Sequence, residues 1–314
     1  MAWQLVRAFQ EAGLPKGVLN LLPGVGEVVG AYLVDHPAVN LIVFTGSRAV
    51  GLDIVAKAAR VAEGQRHVKR VIAEMGGKNP IIVDSDADLD HAIPGILYSA
   101  FGYAGQKCSA ASRLIVLDAV YDELLERLPG AAAEVVVGHP RDMAVTVGAL
   151  IDEDAQRRVE GYIERGAAEG RIVYRRDDVP PEGYFVSPAI VAEVDRSSSL
   201  VTDEIFGPVL TVLKASSFDE AIAIANDTVY ALTGGVYSRT RAHVRRVAAQ
   251  LRAGNVYLNR PTTGAVVGRQ PFGGYGLSGV GSKAGGPDYL LQFLNPRTVA
   301  ENTLRQGFAA SQTV

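Results

Sequence analysis

Short apolar runs of strand length alternate with stretches of helical period along much of this chain, and that alternation leaves few folds open. Leu41-Ile42-Val43-Phe44 reads as a strand, a helix is predicted from about Val50 to Ala62, and Val68 to Ala73 reads as the next strand. Further on, Leu89, Ala92, Ile93, Ile96, Leu97, Ala100 and Phe101 recur at helical spacing, and Arg113 to Leu117 is strand-like. Helices are predicted over Val120–Leu128, Ile151–Ala168 and Phe218–Ala225, with a strand at Val209–Leu213. Strand, helix, strand in succession implies an α/β fold in which a parallel sheet is crossed by helices. The flanks are less regular. Ala2 to Ala12 reads as an amphipathic helix ended by Gly13 and Pro15, Val18 to Leu22 as a short strand, and Glu27 to Asp35 as a second helix. Glu134–Gly138, Arg171–Tyr174 and Tyr184–Val186 also have strand character.

Composition narrows the class. A chain of 314 residues predicts about two domains. With 48% hydrophobic and 21% charged residues it can bury a large core. A formal net charge of -3 gives no electrostatic footprint for nucleic acid. The basic groups Arg66-His67-Val68-Lys69-Arg70 and Arg245-Arg246 read as solvated faces. No apolar run approaches membrane-spanning length, and the N-terminal residues lack a signal-peptide pattern. A single cysteine cannot form an internal disulfide and fits a reducing, cytoplasmic setting. Five histidines without ligand spacing predict no metal site.

That cysteine, Cys108, lies in Gly105-Gln106-Lys107-Cys108-Ser109, a glycine-bounded turn between a predicted helix and a predicted strand. A side chain there can face a cleft. Free cysteine is also an ordinary buried hydrophobe. The polar collar of Gln106, Lys107 and Ser109 favours a reactive thiol, and an ammonium beside the sulfur would favour the thiolate. Glu74-Met75-Gly76-Gly77-Lys78-Asn79-Pro80 places a carboxylate at the end of the apolar run Val71-Ile72-Ala73, with two glycines that permit close backbone approach. Gly24, Gly26 and Gly30 are spaced one residue too long for a dinucleotide fingerprint and read mainly as turn chemistry. Phe44-Thr45-Gly46-Ser47 is either an ordinary strand-to-helix turn or a phosphate site at a helix N-terminus. Thr202-Asp203-Glu204-Ile205-Phe206-Gly207-Pro208 begins a strand with an acid that is either a surface charge or a clamp for sugar hydroxyls.

The paired motifs Glu74-x-Gly-Gly-Lys-Asn-Pro and Gly105-Gln-x-Cys108, in this order and at this separation, resemble the NAD(P)-dependent aldehyde dehydrogenase superfamily. The resemblance covers essentially the whole chain. It implies that Cys108 is the nucleophile and that Glu74 activates the hydrolytic water. It implies NAD, or NADP, as cofactor, with Gly46 and Ser47 on the pyrophosphate, Glu204 on the nicotinamide ribose hydroxyls, Phe206 near the nicotinamide, and Gly76 among the cofactor-binding residues. Thr263 to Gly274, Lys283-Ala284-Gly285-Gly286-Pro287-Asp288-Tyr289 and Gln106 to Ala110 resemble the 1-pyrroline-5-carboxylate dehydrogenase branch. That branch oxidises L-glutamate γ-semialdehyde to glutamate in proline catabolism. Gly264 and Ala265 would then offer backbone N–H groups to the substrate α-carboxylate, Ser109 a hydroxyl, and Phe272 an apolar wall. The alternative for this loop is a glycine-rich surface turn.

The implied architecture is aldehyde dehydrogenase-like: part of a parallel-sheet NAD-binding domain at 1–74, an α/β catalytic domain at 75–262, and an anchor loop and assembly tail at 263–314. The small aldehyde is the implied partner, together with a homo-oligomeric mate or a chain that supplies the family's missing N-terminal portion. No residue here matches the family's oxyanion asparagine or its ribose lysine. A catalytically impaired fragment or partner subunit is therefore the competing expectation.

Overall fold

The computed structural model describes residues 1–176 and 178–302. Its strands, in chain order, are β1 (Leu41–Thr45), β2 (Arg70–Glu74), β3 (Asn79–Val83), β4 (Ala111–Leu117), β5 (Arg171–Arg175), β6 (Ala189–Ala192), β7 (Val209–Ala215), β8 (Tyr230–Ala231), β9 (Thr233–Tyr237), β10 (Asn255–Leu258), β11 (Tyr275–Gly276) and β12 (Gly279–Val280). Seven of them form one sheet in the order β10-β9-β3-β4-β7-β6-β5, parallel except for β5 against β6. Its central strands carry apolar runs in which Ile82, Val83, Leu114, Ile115 and Val116 are fully buried, as expected for a parallel sheet covered on both faces. A smaller sheet pairs β1 and β2 in parallel and adds β12 antiparallel to β2, so the C-terminal segment returns to the first part of the chain.

Helix starts follow from side-chain caps. Ser47 accepts the Val50 N–H at 3.4 Å to open helix Arg48–Ala58, and Asp88 accepts the His91 N–H at 3.3 Å to open Leu89–Phe101. Asp152 and Ser217 cap Glu153–Glu169 and Phe218–Asn226 in the same way. The Ser47 cap explains why the first of these helices begins two residues before the predicted Val50, and it ends at Ala58 rather than Ala62.

Three predicted strands are not strands. Val18–Leu22 has no neighbouring strand among the described residues, and Val18, Leu19, Leu21 and Leu22 are exposed. Glu134–Gly138 follows helix Asp118–Ala133 and makes one isolated bridge, Val137 to Val147. Tyr184–Val186 is irregular, and the strand beside β5 is Ala189–Ala192 instead. The short segment Glu27–Asp35 is helical, but its first turn, Gly26–Gly30, is a π-helix. β3 lies in the middle of the large sheet despite Pro80, and the ladder slips between Asn79 and Pro80, where the missing N–H falls.

Two chain crossings position the site. Glu74 ends β2 in the small sheet and Asn79 begins β3 in the large one, so Met75–Lys78 is the whole link between them. Cys108 lies just before β4, the neighbour of β3.

Candidate active site

The Cys108 turn is built by backbone strain. After helix Leu89–Phe101 the chain takes three consecutive left-handed residues, Tyr103, Ala104 and Gly105, with φ of 60°, 56° and 67°. Gly105 admits no side chain, since a Cβ there would lie 2.2 Å from the Gly207 carbonyl oxygen. Buried Asn79 then fastens the turn to β3 and β9. Its Nδ2 donates to the Cys108 and Ala110 carbonyls at 2.7 and 2.8 Å, and its Oδ1 accepts the Thr233 N–H at 3.0 Å. Gln106 ties the same turn to the Ala149–Ile151 segment on its other side.

The Cys108 thiol is half-buried. Burial, then the Glu204 and Glu74 carboxylates, push its pKa up, while the N–H groups of Ser109 and Cys108 pull it down. Lys107 does not supply the expected activating charge. Its ammonium lies 5.8 and 5.9 Å from the ring centroids of Tyr98 and Tyr103, and cation–π attraction holds it there.

Glu74 accepts the Gly274 N–H at 3.1 Å through Oε2. Burial raises its pKa from 4.5 to about 7, against the pull of that hydrogen bond and of Lys283. Glu204 accepts the Gly77 N–H at 3.0 Å, and burial raises its pKa as well. Gly76 and Gly77 form the crossroads. A Cβ on Gly76 would sit 1.8 Å from Glu204 Oε2, and one on Gly77 would lie 3.0 Å from the Cys108 carbonyl oxygen. Glu204, Glu74, Gly76 and Cys108 are therefore brought together by the structure. Phe206, at φ 56° and 40% exposed, follows Glu204 at the open side.

The Thr45–Gly46–Ser47 turn serves the protein before it serves a ligand. Gly46 donates its N–H to the Glu74 carbonyl at 3.1 Å, extending the β1–β2 ladder, so this amide is not free for a phosphate. Ser47 spends its hydroxyl oxygen as a helix cap. Beside this turn opens a mainly apolar cavity of about 620 Å³ between the Gly26–Asp35 and Arg48–Ala58 helices, lined by Leu33, Val34, Val43, Val50 and Ile54. Gly24, Gly26 and Gly30 do not match a dinucleotide fingerprint, so motif reading passed over this cavity.

The loop after β10 reaches the same region. Thr262 donates its hydroxyl to the carbonyl of buried Ser109 at 3.2 Å and its N–H to Ser99 at 3.1 Å, and the chain then runs outward through exposed Gly264. Gly264 is left-handed at φ 87°. Half-buried Phe272 exchanges backbone hydrogen bonds with Ala284.

Lys78, read in the sequence only as part of a motif, is 1% exposed, and its Nζ finds no hydrogen-bond partner among the described residues. Desolvation, then the Arg113 charge, push its pKa down to about 7, with Asp203 and Glu204 opposing. Among the described residues there is no group of His, Cys, Asp and Glu that could hold a metal, and no helix long and apolar enough to cross a membrane.

Residues 1–299 match the aldehyde dehydrogenase family. The chain is 48% identical over 301 residues to the 1-pyrroline-5-carboxylate dehydrogenase of Bacillus subtilis, a match covering 96% of this chain and 58% of that protein. A crystal structure of 1-pyrroline-5-carboxylate dehydrogenase from Thermus with bound NAD is similar at a TM-score of 0.90 and 48% identity, over 93% of this chain and 56% of that one. Proline utilization A from Bdellovibrio bacteriovorus is similar at a TM-score of 0.95 and 51% identity, over 98% of this chain and 32% of that one. The chain thus spans 58% of the length of the curated relatives it matches. A lone thiol acted on by two half-buried carboxylates, at a parallel sheet, agrees with these matches, and the chain belongs to the aldehyde dehydrogenase family.

Proposed function

We propose that this chain carries the catalytic machinery for NAD-dependent oxidation of L-glutamate γ-semialdehyde to glutamate, a step of proline catabolism. The observation that carries the reading is the convergence of Cys108, Glu74 and Glu204 on Gly76–Gly77. The residues fit the cofactor. The apolar cavity suits an adenine, the N-terminus of helix Arg48–Ala58 with Ser47 suits an anionic pyrophosphate, and Glu204 against Gly76 offers a carboxylate to ribose hydroxyls. NADP is the alternative form. When bound, the cofactor supplies the hydride acceptor.

The Cys108 sulfur attacks the aldehyde carbon as the carbonyl π bond opens, and the thiol proton passes to the carbonyl oxygen, giving a thiohemiacetal. The N–H groups of Cys108 and Ser109, which already favour negative charge on the sulfur, line the place where charge develops. After oxidation a thioester joins Cys108 to the acyl group. Glu74 then takes a proton from water, the water oxygen attacks the thioester carbon, and the C–S bond breaks to return the thiol. Gly264, Ala265 and the Ser109 hydroxyl receive the α-carboxylate, and Phe272 packs on the aliphatic part. Residues 1–74 act as the cofactor portion, 75–262 as the catalytic portion and 263–314 as anchor and assembly tail of a homo-oligomer. The cytoplasm is the compartment that keeps such a thiol reduced.

Coverage of 58% of the relatives favours a second reading, in which these residues work as part of a longer polypeptide or beside a chain that completes the cofactor sheet. A paired assay tests both. The chain, alone and joined to a relative's N-terminal portion, is given glutamate γ-semialdehyde or propanal with NAD. Preference for the semialdehyde supports the anchor loop, and equal turnover of both aldehydes overturns it. Full activity of the chain alone removes the second reading.

A further inference from the structure

Lys283 lies beside the Gly273–Gly274 turn that meets Glu74, and no role falls to it in the chemistry above. Its ammonium donates to the Gly254 carbonyl and, at 3.3 Å, to Asn255 Oδ1. Asn255 is itself the clamp of the neighbouring loop. Its Oδ1 accepts the Gly273 N–H at 3.3 Å, and its Nδ2 donates to the Pro271 carbonyl at 2.9 Å. The next amide along, Gly274, is the one that Glu74 accepts. Gly273 is packed between the Glu74 carboxyl and the Lys283 backbone. A Cβ on it would stand 2.6 Å from Glu74 Oε1 and 3.3 Å from the Lys283 Cα. On the remaining sides, Gly279 of β12 packs on the Glu74 carboxyl, Cys108 faces it from the turn before β4, and Glu204 acts on Cys108 from beyond Gly76. Lys283 is thus the cation that acts on Glu74, and Cys108 the titratable group that shares its space.

We propose that Lys283 is a positioning residue for Glu74: moored on Gly254 and Asn255, it fixes the Pro271–Gly274 loop against the Glu74 carboxyl, and its ammonium favours the charged, water-activating form of that carboxyl against burial. The role of Glu74 as base is taken from the reading above. The positive charge is what the proposal requires; a neutral donor of similar length would moor the loop yet leave Glu74 protonated to higher pH.

The lone thiol gives a reporter that needs no aldehyde turnover. Cys108 is alkylated with iodoacetamide from about pH 5 to about pH 9, and the adduct is counted by mass spectrometry. When Glu74 ionises, its charge disfavours the thiolate, so the climb of the rate flattens near pH 7 in the parent. Lys283→Met moves this flattening up by about one pH unit, while Lys283→Arg leaves it in place. Lys283→Gln, which keeps a donor for Gly254 but no charge, behaves as Lys283→Met and carries the test if the methionine variant fails to fold. Glu74→Gln abolishes the flattening, and adding Lys283→Gln to it shifts nothing further. A Lys283→Gln profile that superimposes on the parent overturns the proposal, as does a shift that persists in the Glu74→Gln background. A shift in the chain joined to a relative's N-terminal portion, where that completed protein oxidises no aldehyde, keeps Lys283 in its role and removes the dehydrogenase reading; turnover of the completed protein without a shift does the reverse.

Discussion

Cys108 keeps its proton at neutral pH because burial and two carboxylates disfavour the thiolate, so its nucleophilicity depends on position more than on ionisation. Cys108→Ala is expected to lower aldehyde oxidation at least about 10³-fold in the completed enzyme, measured as NADH formation. Glu74 carries the pH dependence. Its pKa of about 7 lies above the ordinary 4.5, so the fraction able to deprotonate water grows as pH rises through 7. Thioester hydrolysis in a single turnover should climb through that range and level off above it, and Glu74→Gln should remove the climb while sparing the first burst of NADH. The stability sign is the opposite. A carboxyl raised on folding favours the native state below pH 4.5, and that contribution is lost as pH rises through about 7. Urea midpoints of Glu74→Gln should therefore fall less than the parent's over this range. Gly76→Ala would drive a methyl to 1.8 Å from Glu204 Oε2. The carboxylate must swing away, and the KM for NAD is expected to rise about tenfold, about 1.4 kcal/mol, with Cys108 alkylation faster because Glu204 then opposes the thiolate less.

The most buried charged element of the fold is Arg113, in the middle of β4 with no exposed surface. It donates to the Ile224, Ala225 and Asp227 carbonyls, closing the C-terminus of helix Phe218–Asn226, and to the Lys78 carbonyl at 3.0 Å on the link to β2. Arg113→Met strands those carbonyls, and unfolding in urea should show a loss of about 3 kcal/mol. Sequence reading took Arg113 for the start of a strand and gave no sign of this work, because its partners are carbonyls that lie 35 or 111 to 114 residues away. The alternation of β1, β4 and β7 with their helices was legible, since apolar runs bounded by caps leave little choice. β3 was hidden because Asn79 and Pro80 read as motif rather than strand, and its two-sided burial comes from the strands beside it. Glu134–Gly138 and Tyr184–Val186 misled for the complementary reason: β-branched and aromatic residues mark a strand only where an edge is available.

Taken whole, the molecule divides its cohesion unequally. The continuous core begins at Ile81 and draws nothing from β1 or β2, while Val43, Val50 and Tyr32 around the smaller sheet are 51%, 48% and 66% exposed. Hydrogen exchange should therefore run faster over 41–58 and 70–74 than over 111–117, and NAD should slow it in the first two segments. The site residues were legible as types in order; that Glu204 is tied to the Gly77 amide, and that Lys107 turns away to two tyrosines, are facts of the folded state alone. The link Met75–Lys78 gives the last point its interest. It spans two sheets, joins Glu74, the proposed base, at one end to Asn79, the clamp of the thiol turn, at the other, and is fastened in between by Gly77 to Glu204, Met75 to Ser278 and Ser278 to Gly76. A spacer so anchored behaves as a ruler. Surface loops such as 60–66 can lengthen by drift, but one inserted residue between Glu74 and Asn79 would change the reach of the proposed base to Cys108, so chains with this chemistry should hold that interval constant while loops around it vary in length.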